Sequence, residues 1–502
     1  MSFSKEQAYA FEQFKRGHNL FITGPGGTGK TYLIKSIVNH MNQQNAKYQV
    51  CAMTGCAAVL LQCGARTLHS WSGMGLANGP ISTIVQKIVR NKKAAKLWKT
   101  TNILIVDEVS MMSKKIFELI EFVARCLRRS EKPFGGMQVV FTGDFYQLPP
   151  VGNSEEPDTA MFCFQSQKWE NVFQKENHIQ LTTIFRQQSD ENYKRILNQV
   201  RIGELDQECR ELLANCVGKT PPTQEHMPTK IYAIRSKTDY VNTSTYNKIQ
   251  KPEYTYEFQV RTDLTTYLET SKIIDPILLA SCRKIPKEVL ENEVNMLINT
   301  SNRNQILRLK EGAKVMCLHN VDLTRDICNG SQGIVTKFVG PQNAPVVKFQ
   351  NGVEMTMEFM WIQSEEIPCI AVGQIPLCLA WALTIHKIQG ATLESAEMDL
   401  GNSVFEFGQT YVALSRIKTL QGLHLSAFEP AKIRANPDVK EFYDKISEYS
   451  VGISLEEVTE VTEVTEVFEP TENIFAQFAN KELETEEFIP TDTTVKKIRM
   501  IR

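Results

Sequence analysis

An α/β fold is predicted: two doubly wound, mostly parallel sheets, a small antiparallel β-barrel inserted in the second, and a disordered acidic tail. Three observations carry this. Apolar runs recur at residues 19–23, 48–53, 102–106 and 138–142, each ending in a polar or glycine-rich turn. That is the pattern of strands buried on both faces, with functional residues at their carboxyl ends. A second set of runs starts at 230–234 and resumes at 377–383 and 423–426. Between them, about residues 309–372 alternate like short antiparallel strands (313–319, 333–339, 345–349, 353–359), with Asn329-Gly330 and Asn351-Gly352 as tight turns. Residues 251–300 are too weakly patterned to assign.

The first strand leads into Gly24-Pro25-Gly26-Gly27-Thr28-Gly29-Lys30-Thr31, spaced G-x-x-x-x-G-K-[ST], and then into a helical pattern over residues 32–43. This context makes it a phosphate-binding loop. Backbone N–H groups bare of side chains can wrap phosphates, Lys30 neutralises the β/γ oxygens, Thr31 ligates magnesium, and the helix dipole faces the anion. The chain is therefore expected to use ATP and Mg²⁺.

The strand over residues 103–106 ends in Asp107-Glu108. Asp107 suits the metal's water shell and Glu108 the orientation of an attacking water. A third strand end, Thr142-Gly143-Asp144-Phe145-Tyr146-Gln147-Leu148-Pro149-Pro150, offers Gln147 as a sensor of the γ-phosphate; a capped β-turn is the alternative reading. Arg186 and Arg416 are candidates for closing on the same phosphate, because a planar guanidinium stabilises equatorial oxygens as charge develops; a surface ion pair is the bland alternative.

Composition bounds the rest. With 502 residues and 42% hydrophobic content the chain has room for several cores, and 56 Lys+Arg against 57 Asp+Glu leave a net charge of −1. No whole-molecule basic field advertises nucleic acid, so such binding has to use local grooves. Twelve cysteines include no C-x-x-C pair, which favours reduced, mostly buried thiols. No apolar run is long enough to span a membrane, and a phosphate loop starting at residue 24 argues against a cleaved transit peptide, so an intracellular, soluble protein is expected. After about residue 450 Val-Thr-Glu repeats three times from Val458, and the chain ends in the basic stretch 496–502; a solvated tail is expected there.

Beyond the ATPase motifs the chain carries Met53-Thr54-Gly55-Cys56-Ala57-Ala58 followed by Thr67-Leu68-His69-Ser70. It also has Pro133-Phe134-Gly135-Gly136 and Leu379-Ala380-Trp381-Ala382-Leu383-Thr384-Ile385-His386-Lys387-Ile388-Gln389-Gly390. Over about residues 4–428 these resemble, in type and order, the PIF-type DNA helicases of superfamily 1B, relatives of RecD-like and Dda-like enzymes. Cys56 departs from the small aliphatic residue usual in that family. The resemblance implies RecA-like lobes (1–200, then 201–308 and 373–450) and an SH3-like barrel at 309–372; the acidic tail at 451–502 lies outside it. It implies Gln7 as the reader of adenine and a strand-splitting pin within residues 73–99, its tip near 74–82. It further implies 5′-to-3′ translocation on single-stranded DNA and unwinding of forked DNA, in replication, repair or recombination.

On that reading Thr54, Gly55, Thr67, His69, Thr384, His386 and Lys387 grip the strand, and Trp71, Phe145 or Trp381 supply faces for base stacking, although for each aromatic taken singly a core position is the favoured reading. A monomer is expected, in nucleus or cytoplasm, including as a viral protein in an infected cell, with replication or repair partners reached through the tail. The rivals are a phosphotransferase, a non-motor strand-binding scaffold, and an RNA translocase. Two lobes, the Gln147 motif and Arg416 argue against the first, and intact Lys30, Thr31, Asp107 and Glu108 against the second. Backbone grips alone do not separate DNA from RNA.

Overall fold

The computed structural model describes residues 3–450, except 62, 76, 78, 188–189, 220–227, 263–284, 301–304, 320, 326, 328–329, 365–366 and 368. The expected tail lies outside the described residues, as do Asn329 and part of the predicted pin tip. No helix of the described residues is long and apolar enough to cross a membrane.

The first sheet has six strands in the order Arg66–Thr67, Tyr48–Ala52, Ile103–Asp107, Gln138–Gly143, Leu20–Thr23, His178–Gln180. Every pairing in it is parallel. Its central strands are apolar on both faces because helices cover both: Leu20, Phe21, Ile22 and Thr23 are all buried. The register sets Thr23 opposite Gly143 and Ala52 opposite Asp107, which brings the functional strand ends to one edge. The helix Lys30–Gln43 buries Leu33, Ile34, Ile37, Val38 and Met41, one face at helical spacing.

A second parallel sheet runs Ala382–Thr384, Thr229–Tyr232, Ala396–Leu400, Leu423–Phe428. Here the sequence reading needs correction. Residues 377–383 are two strands: Leu377–Leu379 pairs antiparallel with Lys314–Cys317, and only Ala382–Thr384 joins the parallel sheet. A continuous apolar run hides such a change of partner. The strand Ala396–Leu400, with Asp399 inside it, went unread because its acids broke the apolar pattern.

Antiparallel pairing also extends beyond 309–372. Glu253–Glu257 pairs with Ile306–Lys310, a five-stranded sheet runs in the order Glu354–Thr356, Ala344–Phe349, Gln332–Val339, Lys314–Cys317, Leu377–Leu379, and Gln259–Arg261, Ala371–Gln374 and Met360–Gln363 form a third sheet. The first two share a core that includes Leu307, Leu309, Val315, Val335, Val347 and Leu377, and the third buries Val372 in a separate cluster with Leu297, Cys369 and Ile370.

After its last parallel strand the chain returns to the first sheet as the helix Pro437–Ser450. Phe442 stacks on Phe164 at 4.2 Å and meets Phe145 edge-on at 5.4 Å. Phe21 and Trp169 lie within about the same reach of it, so a single aromatic core joins the chain's two ends.

Candidate active site

The turn after Leu20–Thr23 is shaped for an anion. Gly29 caps the following helix at φ +80°, and a Cβ there would come within 2.5 Å of Gln7 Nε2. Gln7 is buried; its amide donates to the Thr28 carbonyl at 3.1 Å, and its Oε1 accepts from Ser4 N at 3.0 Å in a capping box. It therefore sits against the phosphate loop, fixed by the first helix, Lys5–Lys15. The Lys30 ammonium donates to the Gly24 and Pro25 carbonyls at 2.6 and 3.0 Å, and burial lowers its pKa against the attraction of Asp144, Glu108 and Asp107.

Asp107 is buried, and both hydrogen bonds to its carboxylate fall on Oδ1, from Thr142 Oγ1 and from Glu108 N. Desolvation raises its pKa. Glu108 is held in the left-handed region at φ +57°, a strained setting for a non-glycine residue. Desolvation, and then the Asp107 charge, push its pKa up to about 7. Gln147 is buried, and its Oε1 has no partner among the described residues.

Across from these lie groups from the second sheet. Gly26 N donates to the Tyr411 hydroxyl at 2.9 Å. Gln389 Nε2 donates to Glu108 Oε2 at 3.4 Å. Buried Arg416 donates from Nε to the Val412 carbonyl at 2.9 Å and from Nη2 to Ser415 Oγ at 2.7 Å, and half-buried Arg186 donates from Nη1 to the Ser415 carbonyl at 3.2 Å. Desolvation lowers both pKa values, that of Arg186 to about 10, helped by Arg416 beside it. Two neighbouring cations bonded only to neutral oxygens create a demand for anionic charge.

Sequence reasoning passed over several members of this cluster. Gln389 lies inside a quoted motif and Tyr411 five residues before Arg416, yet neither was given a role. Asp144 is fully buried in a forked ion pair with Arg201, at 3.0 Å to Nε and 2.9 Å to Nη2. The Tyr443 hydroxyl bonds Thr23 Oγ1 at 2.5 Å and accepts from Phe145 N at 3.1 Å. No local signal marks Arg201 or Tyr443, because their partners are distant in sequence.

The predicted strand-binding residues divide between two places. Thr54 caps the helix Gly55–Leu61 through Ala57 N at 3.2 Å, and Gly55 is exposed. Thr67 caps Leu68–Ser72 through Ser70 N at 3.2 Å, and burial lowers the pKa of half-buried His69. In the second sheet's domain, Thr384, His386 and Lys387 line a cavity of about 840 Å³, with Thr384 Oγ1 accepting from Lys387 N at 3.3 Å.

The expected stacking faces require correction. Trp71 is fully buried against Trp98 at 4.3 Å, Phe145 is buried in the aromatic core, and Trp381 packs half-buried on the antiparallel core. Aromatic rings next to polar motifs were drawn into cores by the area they bury. In the predicted pin, Met74 and Ala77 are buried, whereas Ile81, Ser82 and Thr83 at the start of the helix Ile81–Arg90 are exposed.

Residues 2–211 match the family model described as PIF1-like helicase, and residues 294–338 match that of the DNA helicase Pif1 2B domain. The chain is 32% identical to the ATP-dependent DNA helicase PIF1 of Xenopus laevis over 448 residues, covering 89% of this chain but 64% of that relative's length. It is 33% identical to the crystal structure of Pif1 helicase from Candida albicans, with a TM-score of 0.71 over 89% of this chain and all of that one. A structure of Pif1 helicases at forked double-stranded DNA superposes with a TM-score of 0.60 at 26% identity, over 90% of this chain and 98% of that one.

Proposed function

The chain belongs to the PIF1-like helicase family, and on that premise we propose that it is an ATP-dependent DNA helicase that moves 5′ to 3′ along single-stranded DNA and opens forked duplexes during genome maintenance. The observation that supports this best is the nucleotide cleft built from both lobes: Lys30, Asp107, Glu108 and Gln147 on one side, Tyr411, Arg416 and Gln389 on the other.

The roles follow from chemistry. Lys30 and the amides of residues 24–31 hold phosphate, and Gln7 supports the loop beside the base. Thr31 and Asp107 are the residues that would hold Mg²⁺; a buried carboxylate and a helix-start hydroxyl beside a phosphate cradle fit a hard cation that keeps most of its water. That ion supplies charge neutralisation on the phosphates. Glu108, with a pKa near neutrality, orients the attacking water and receives its proton. Gln147, Arg186 and Arg416 respond to the γ-phosphate, so loss of that phosphate loosens the lobe contacts through Tyr411 and Gln389. Thr54, Gly55, Thr67 and His69 on one lobe and Thr384, His386 and Lys387 on the other alternate in grip as the cleft opens and closes. The 2B-type antiparallel domain and a pin within 73–99 complete the division of labour, and the acidic tail is a candidate contact for other replication or repair proteins.

The test is ATP-driven opening of two fluorescent duplexes, one with a 5′ single-stranded tail and one with a 3′ tail, by wild type and Lys30→Ala. Opening of the 5′-tailed duplex alone, lost in the variant, is expected. Opening of the 3′-tailed duplex, or undiminished opening by Lys30→Ala, would sink the proposal. Stronger stimulation of ATPase by RNA than by DNA strands would move the substrate assignment to RNA.

A further inference from the structure

Trp71 and Phe145 are withdrawn into first-lobe cores and Trp381 packs on the antiparallel core, so none of the three lines the second-lobe cavity, and that groove needs another aromatic if it is to hold bases. Phe405 is 60% exposed and lines the same cavity as Thr384, His386 and Lys387. Tyr240, 74% exposed, does not line it. A single surface phenylalanine is unremarkable in general. Its position and the way its loop is held distinguish this one.

The loop is tied to the nucleotide cleft. Phe405 N and Glu406 N both donate to Gln409 Oε1, at 3.2 and 3.3 Å, and Gln409 is fully buried. Gln409 begins the helix Gln409–Leu414, which carries Tyr411 to Gly26 of the phosphate loop and ends beside Arg416. Gly408, at φ +75°, presses on the Gln147 backbone so closely that a Cβ would lie 2.4 Å from the Gln147 carbonyl. The ring in the groove is thus a few bonds from the Gln147 and Arg416 candidates for γ-phosphate sensing.

We propose that Phe405 is the base-stacking residue of the second-lobe groove, a face on which a nucleobase of the single strand rests beside the Thr384, His386 and Lys387 backbone grip. This rests on the reading that single-stranded DNA occupies that groove. Stacking is tolerant of sequence, and its strength depends on the base rather than on the sugar-phosphate, which gives the proposal a distinctive signature.

The experiment is fluorescence anisotropy of a labelled oligo-dT strand and of an abasic strand of equal length, with wild type, Phe405→Ala and Phe405→Trp. Expected is about tenfold weaker binding of oligo-dT by Phe405→Ala, recovery in Phe405→Trp, and less than about twofold change on the abasic strand. Equal binding of oligo-dT by wild type and Phe405→Ala would overturn the assignment. So would an equal loss on both strands, because the ring would then be shaping the loop rather than holding a base. Failure of wild type itself to bind oligo-dT would remove the DNA reading beneath it, an outcome visible before any variant is compared.

Discussion

Glu108 is the residue on which pH acts. Its native pKa, about 7, lies above the ordinary 4.5, so the folded chain holds this proton more tightly than the unfolded one. Its contribution to stability is therefore greatest below about pH 4.5 and declines as pH rises toward 7. On the proposed role of Glu108, activity should run the other way, because water activation needs the carboxylate. kcat/KM for ATP is expected to rise with pH through a midpoint near 7, and Glu108→Gln to lose hydrolysis while a fluorescent ATP analogue still binds. A flat profile between pH 6 and 8 would rule out Glu108 as the group that takes the proton. This carboxylate was legible as a candidate from its place after an apolar strand. Its elevated pKa was not, since that comes first from burial in the assembled cleft, with the Asp107 charge beside it, and outweighs the lowering by Lys30, Arg416 and Gln389.

At the scale of elements, two of the positions that lock lobe to lobe are a glycine and a tyrosine. Gly408→Ala forces a Cβ onto the Gln147 and Tyr146 carbonyls from a left-handed backbone, and is expected to lower the melting temperature and raise KM for ATP together. Unchanged values of both would show that the loop yields freely. Tyr443→Ala removes a ring stacked on Tyr146 at 4.8 Å and a hydroxyl bonded to Thr23 and Phe145, and about 3 kcal/mol of stability should go with it in a denaturant titration. Tyr443→Phe keeps the ring and should cost about 1 kcal/mol.

These elements also mark the limit of what a sequence discloses. The phosphate loop and its helix were plain because spacing, flanking strand and helical face are all local. The run at 377–383 read as one strand because hydrophobicity does not record a change of partner at Ala380 and Trp381. Tyr443 was invisible, its hydrogen-bond partner Thr23 lying 420 residues away.

For the whole molecule the near-zero charge conceals an imbalance. Residues 451–502 hold 12 acidic and five basic side chains, so of 57 acids and 56 bases the first 450 residues keep 45 and 51, a net charge of +6. A chain ending at residue 450 should associate faster with single-stranded DNA at low salt in stopped-flow measurements, and the difference should shrink as salt is raised. Equal on-rates at low salt would mean that the local groove alone sets encounter.

The helix Pro437–Ser450 carries a last consequence, for biogenesis. A ribosome delivers the phosphate loop and the Gln147 strand early, but the aromatic core beneath them stays open on the face that Phe442 and Tyr443 later fill. An N-terminal lobe emerging first is a half-closed intermediate with exposed rings, in need of shielding until about residue 450 has left the exit tunnel.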